Sequence, residues 1–458
     1  MRGARPYVLL YLALTLIYHS NLRPGAAGDS LSASLIPFAV LFDHSITLDR
    51  FGPWIQGHVW YASSVVKEAG GHWYSAYPIA GPVLAAPLYS PLLAAPSLSR
   101  MPPESLIAVA RIAEKFAAVA LAALAAVWMA ALLGRLVPRR WAWILTWVFA
   151  LGTSNWSISS QALWQHTFGT IALIGCWYTL ERWESSGRTA GWAWWCGIAA
   201  GAAVMVRPTN AMLFAALAAA LWAGRGRIRD YVAAFLPLTL LTGLLLVYNE
   251  SVFGRVSGGY PDRFDGNILS GAAGLLLSPG RGLLIYTPIV FFVLAAFLPA
   301  TRELRSRHRA LLAACSVFAI GQIAVTAQWP VWWGGYCWGP RLLSEIVPGV
   351  MVLIAIGLPK LLAGQTGTVW RRAFVVTAVY CCLIQALGVY FYPKGRWDRL
   401  PVSVDAKSER LWNWKDNPIA RTLAGGPAWE PYQIVGTALT EGLPAAEERL
   451  KSYGIAPY

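Results

Sequence analysis
Long apolar stretches separated by short basic segments dominate this chain, and that alternation excludes most soluble folds. Crossing a hydrocarbon core of about 30 Å takes roughly 20 apolar residues. Stretches near 6–20, 106–134, 141–154, 168–181, 190–206, 211–223, 231–248, 283–300, 310–328, 347–363 and 373–392 read as spans. Composition agrees, because 57% of the 458 residues are apolar and 13% charged, proportions of a membrane protein. The expected fold is an all-α polytopic membrane protein with about eleven transmembrane helices.

The charge pattern orders those spans. With the N-terminus inside, the short inner connections carry Arg135, Arg139 and Arg140; Arg182 and Arg188; Arg225, Arg227 and Arg229; Arg302, Arg305, Arg307 and Arg309; and Lys360, Arg371 and Arg372. Lys and Arg enrichment is the mark of cytoplasmic loops. The formal charge of +15 is thus a topology signal; the cations form no continuous face, and no nucleic-acid partner is expected. Met1 to Arg5 and the apolar run to Tyr18 have the charged start of a signal peptide and are read as a retained first span. Four of the six cysteines (Cys176, Cys196, Cys381 and Cys382) lie within spans, which argues against a disulfide framework.

The segments assigned to the outer side are long and rich in Trp, Tyr, Gly and Pro. The first, 21–105, is a long outer loop with juxtamembrane segments, and loops of that length are usually functional. Within it, Tyr77 to Pro96 is apolar yet carries Pro78, Pro82, Pro87, Pro91 and Pro96, each removing a backbone donor. A broken or re-entrant segment is expected there, since a lipid-exposed span would leave polar groups unsatisfied. Residues 1–392 form the transmembrane domain, and 393–458 a small polar tail expected outside.

Candidate chemistry lies on the same side. Asp29 follows the first span and precedes an amphipathic stretch, Leu31 to Phe42; an acid there serves as an N-cap as readily as a catalytic group. Asp43 and Asp49 are alternates. His166, in the segment Trp164-Gln165-His166, suits proton transfer near neutrality or a structural hydrogen bond. Arg207 sits in Val206-Arg207-Pro208, a depth at which arginine needs an anion or the interface. Arg281 and Arg341 stand among glycines and aromatics, in Ser278-Pro279-Gly280-Arg281-Gly282 and in the segment Trp333 to Arg341. Guanidinium forks match phosphate oxygens. Tyr77, Trp164, Gln165, Trp333, Tyr336 and Trp338 offer faces or hydrogen bonds to a sugar or prenyl chain. There is no Walker loop, no zinc-type spacing and no Gly-x-Ser-x-Gly elbow, so neither cofactor nor metal is expected.

The arrangement resembles the GT-C superfamily of integral-membrane glycosyltransferases, in particular the lipid A aminoarabinose transferase and protein O-mannosyltransferase branches. The resemblance rests on Asp29 after the first span, the amphipathic stretch, Tyr-Pro-Ile-x-Gly-Pro at Tyr77 to Pro82, and an Arg-Pro at Arg207. It implies transfer of a sugar from a polyprenyl-phosphate donor to a hydroxyl on an envelope glycan, lipid or protein, at the outer face of a bacterial plasma membrane. Asp29 would be the base of a direct inverting displacement, with Asp43 and Asp49 behind it, and Arg207, Arg281 and Arg341 would bind the donor phosphate. Two departures limit the inheritance. Where the aminoarabinose branch has Lys-Pro-Pro this chain reads Ala76-Tyr77-Pro78, and where the mannosyltransferase branch has Asp-Glu it reads Asp29-Ser30. A non-enzymatic flippase of a lipid-linked saccharide would use the same aromatics and arginines, and an envelope scaffold would use the tail.

Overall fold
The computed structural model describes residues 3–24, 27–58, 62–259, 263–363, 367–392, 394, 396–442, 445–446 and 448–449. The fold is helical, and the described strands form a single two-stranded hairpin. Five helices are long and apolar enough to cross a membrane: Pro103–Leu136, Ile228–Phe253, Arg309–Ala327, Ile346–Ala363 and Gly367–Tyr390. They make the chain a multi-pass membrane protein. Shorter apolar helices, among them Ala190–Val206, complete the bundle, together with Arg5–His19, Arg139–Leu151 and Gln165–Ser185.

Every stretch read as a span falls on helical backbone, with one change of form. The stretch expected as a regular helix at 283–300 is a single turn, Leu283–Tyr286, followed by a tight 3₁₀ helix, Pro288–Phe297. Pro288 has no N–H to continue the first turn, so the ladder restarts there. Ala190–Val206 and Ile228–Phe253 lie in close contact because Gly197 and Gly201 face the second helix. A Cβ at Gly197 would stand 2.0 Å from the Ala234 carbonyl oxygen. Small residues spaced by four let helix backbones approach in this way. The main core joins Leu14, Phe149, Trp177, Leu217, Phe318 and Met351. Tyr18 is tied into it by donating to the Ala150 carbonyl at 2.9 Å and accepting from Asn155 at 2.9 Å.

The segment between the first helix and Pro103–Leu136 has its own core, of Leu35, Phe38, Phe51, Trp54, Tyr89 and Ile107. Leu31–Phe38, expected to be amphipathic, is buried on nearly all sides and runs into a π turn at Ala39–Asp43. Strands Val66–Ala69 and His72–Ser75 pair antiparallel, with Val66 opposite Ser75. Gly70 and Gly71 both have positive φ, 58° and 80°, the backbone that a two-residue hairpin turn requires. The proline-rich stretch is broken as expected, into a helix at Ala80–Tyr89 and 3₁₀ turns at Ser90–Ala94 and Pro96–Arg100. The chain after Tyr392 folds back onto the loop at 332–341. Trp333 Nε1 donates to Asp405 at 2.7 Å, and the Tyr336 and Ser403 hydroxyls meet at 2.7 Å.

Candidate active site
The long connections at one end of the bundle converge on a cavity of about 2640 Å³. Its wall takes residues from the first helix end, from the segment after it, from 163–168, 206–209, 245–257 and 325–342, from Phe264 and from the tail. Among the described residues, the arginine-rich connections at the opposite helix ends contribute nothing to it. Apolar side chains of Ile112, Phe116, Leu245, Leu246 and Val325 share this wall with the basic Arg23, Arg111, Lys115, Arg207, Arg341 and Arg399. One cavity therefore offers both a hydrocarbon surface and positive charge.

Asp29 is not a helix cap. The cap position of Leu31–Phe38 belongs to Ser30, which makes no side-chain capping bond. The Asp29 carboxylate instead accepts from Arg341 Nη1 at 2.6 Å, across 312 residues of chain. Arg341 also donates to the Gly334 carbonyl at 2.5 Å, and its guanidinium lies 4.3 Å from the centre of the Trp164 ring. Its Nε is buried without a hydrogen-bond partner among the described residues. The cation is thus fixed on two sides.

Beside this pair lies a second cluster. The helix Ala190–Val206 stops at Arg207, whose extended backbone (φ −148°, ψ 111°) precedes Pro208; a residue before proline is pushed out of helical conformation. The guanidinium turns inward, where Nη1 donates to Glu345 at 2.6 Å and to the Leu342 carbonyl at 3.2 Å. Glu345, fully buried just before the helix Ile346–Ala363, also holds His166 Nδ1 at 2.8 and 2.9 Å through its two oxygens. His166 is in the first turn of Gln165–Ser185 and lines the cavity. A carboxylate between a guanidinium and an imidazole is a compensated buried charge, and removing one partner would leave the others costly.

The remaining sequence candidates divide sharply. Tyr77, Trp164, Gln165 and Tyr336 line the cavity with Asp29, His166, Arg207 and Arg341. Asp43 and Asp49 do not: Asp43 pairs with Arg50, and Asp49 accepts from the Trp73 N–H at 2.8 Å and from His72 at 2.7 Å, around a separate shallow depression. Arg281 is also absent from the wall, being completely buried against Asp398 and the carbonyls of Trp333, Gly280 and Gly335. Trp333 bonds Asp405 instead of facing the cavity. Trp338 packs on Tyr286 and donates to the Ile384 carbonyl at 3.1 Å. These are positions that hold the loop and the tail together.

Two residues of the site are not among the sequence candidates, Glu345 and Lys115, and neither is Asp398, the partner of Arg281; their pairing has no local signal in the sequence. Lys115 lines the cavity while donating to the Ser160 carbonyl at 3.1 Å and to Gln161 at 2.9 Å, next to the Arg111–Glu114 pair at 2.8 Å. The available signal was the position of Glu345 at the edge of an apolar run, where an acid needs a partner. Among the described residues, no three His, Cys, Asp or Glu side chains gather as a metal site.

Comparison of the sequence with known protein families finds no match, and comparison with curated proteins finds none. Among solved structures, the crystal structure of ArnT from Cupriavidus metallidurans in the apo state is similar at 13% identity and a TM-score of 0.47, over 98% of this chain and 72% of that one.

Proposed function
We propose that this chain is a GT-C-type glycosyltransferase that moves a sugar from a polyprenyl-phosphate donor to a hydroxyl of an envelope lipid, glycan or protein, at the outer face of a bacterial plasma membrane. The observation that carries this reading is the cavity, which combines apolar and cationic walls with two proton acceptors, Asp29 and His166. Sites for single small ligands usually measure about 300–1,000 Å³; 2640 Å³ leaves room for donor and acceptor together, as a transfer reaction requires. The apolar wall suits a prenyl chain. The cations suit a phosphate that gains charge as the sugar leaves.

In this reading the acceptor oxygen attacks the anomeric carbon while the bond to phosphate breaks, with inversion. The Arg207 hydrogen bonds to Glu345 and to the Leu342 carbonyl both run through Nη1, which leaves Nε and Nη2 for phosphate oxygens. The resemblance gives the acceptor proton to Asp29, and the wall also presents His166. Purified protein in liposomes, supplied with radiolabelled polyprenyl-phosphate sugars and envelope acceptors, should move label into a new product. Transbilayer movement of intact donor with no product would overturn this in favour of a flippase, which needs the same wall.

A further inference from the structure
We infer that the base of the reaction is His166, held in its basic tautomer by Glu345, and that Asp29 serves as the counter-ion and orienting partner of Arg341. This rests on the sugar-transfer reading above. A carboxylate that also accepts from Arg207 at 2.6 Å is ionised and can only accept. Nδ1 of His166, at 2.8 and 2.9 Å from its two oxygens, therefore carries the imidazole proton, and Nε2 carries the lone pair. The bonds of the ring to Glu345 run through Nδ1, and the His166 side chain, only 6% exposed, forms part of the cavity wall. A base oriented through its second nitrogen by a buried carboxylate is the arrangement by which imidazole accepts a hydroxyl proton and is stabilised as imidazolium.

Asp29 is differently placed. Its Oδ2 is engaged by Arg341 at 2.6 Å, and its side chain is 42% exposed. That oxygen is already taken up by the guanidinium and serves as its hydrogen-bond acceptor. What Asp29 achieves through that bond is to hold Arg341 in the cavity wall, where its charge faces the donor phosphate.

The His166 Nε2 lone pair takes the acceptor hydroxyl proton, and the acceptor oxygen forms its bond to the anomeric carbon. The bond from that carbon to the phosphate oxygen breaks with its electron pair, and prenyl phosphate leaves as an anion beside Arg207 and Arg341. The imidazolium, facing Glu345 as its counter-ion, returns the proton to water after product leaves.

The charged groups facing His166 come from three elements: Glu345 ahead of Ile346–Ala363, Arg207 at the end of Ala190–Val206, and Arg341 in the turn Arg341–Leu343. The test uses full-length protein in nanodiscs. Nitrogen-15 NMR of the histidines, with His166→Gln for assignment, should show protonated Nδ1 and free Nε2 at His166. In transfer assays His166→Gln should lose about 10²–10⁴-fold in kcat with donor binding kept, and imidazole should restore part of the rate to His166→Gly. Glu345→Gln should move the acidic limb of the pH–rate profile to lower pH, because loss of the anion favours neutral imidazole. Asp29→Asn should lower the rate and leave that limb in place.

A protonated Nε2 in the resting protein would overturn the proposal. So would an acidic limb that persists in His166→Gln and vanishes in Asp29→Asn. A wild-type protein that binds every donor and transfers none contradicts the sugar-transfer reading instead, and the tautomer measurement still decides the dyad.

Discussion

Two arginines with the same surroundings in sequence have different work in the molecule, and the difference lies in their partners. Arg281 and Arg341 both follow a glycine- or proline-rich turn, but Arg281 meets Asp398, 117 residues later, and is sealed from the cavity. Its ion pair is a matter of stability. Arg281→Met leaves the Asp398 carboxylate buried without its cation, a loss of about 3–5 kcal/mol for breaking one side of a buried pair. The expected result is a lower melting temperature with turnover of the remaining folded protein unchanged, and most of the loss recovered by adding Asp398→Leu. Thermal melts set beside transfer rates check it, and a turnover defect in the folded fraction would return Arg281 to the site. The sequence made Asp29, His166, Arg207 and Arg341 legible because a polar group at the end of an apolar span needs a reason to be there. It left Arg281 among them, and Glu345 unrecognised, because pairing across more than a hundred residues has no local signature.

Elements were legible where a local rule governs them. The prolines of 78–96 predict a broken segment and one is found; the apolar runs predict helices and helices occupy them. The hairpin at 66–75 is not among the expected elements although Gly70-Gly71 is a turn signal, because each strand is only four residues long. What holds the hairpin is Asp49, whose carboxylate takes the Trp73 N–H and the His72 and Thr47 side chains, while Leu48 N–H donates to the Trp73 carbonyl at 2.7 Å. Partial burial pushes this carboxyl up; the three hydrogen bonds more than offset it, leaving Asp49 below the usual carboxylate range. A lowered native pKa means stability that is fully present above the unfolded value, roughly pH 4, and lost as pH falls through the native one. Amide exchange at Trp73 should therefore stay slow down to about that pH and quicken below it. Asp49→Asn should flatten the dependence; a flat profile in the wild type would mean that Asp49 does not anchor the hairpin.

On the scale of the whole molecule, alternating basic connections gathered the remaining ones at one end, and that end is where the cavity lies. What no local pattern could announce is that the tail closes this wall, since the contacts that bring it there, Asp398 to Arg281, Ser403 to Tyr336 and Asp405 to Trp333, each span more than sixty positions. Nor could it announce where the wall opens. Ile112 and Phe116, on the long helix Pro103–Leu136, line the cavity and yet are 50% and 60% exposed, so the apolar outer surface of the bundle continues into the site at this point. A prenyl chain lying in the bilayer would reach the cationic end of the cavity across these two side chains. Complete burial of one such side chain is worth about 1.5–3 kcal/mol, and part of that is enough for a tenfold change in affinity, about 1.4 kcal/mol. Replacing both by serine should raise KM for a long-chain prenyl-phosphate sugar by about tenfold, leave kcat unchanged, and leave KM unchanged for a short-chain, water-soluble donor that enters without crossing the lipid face. An equal rise for both donors would place the entrance elsewhere and make these side chains part of the phosphate or sugar contact. A rise confined to the long chain ties the lipid-facing surface of the bundle to the chemistry at its end.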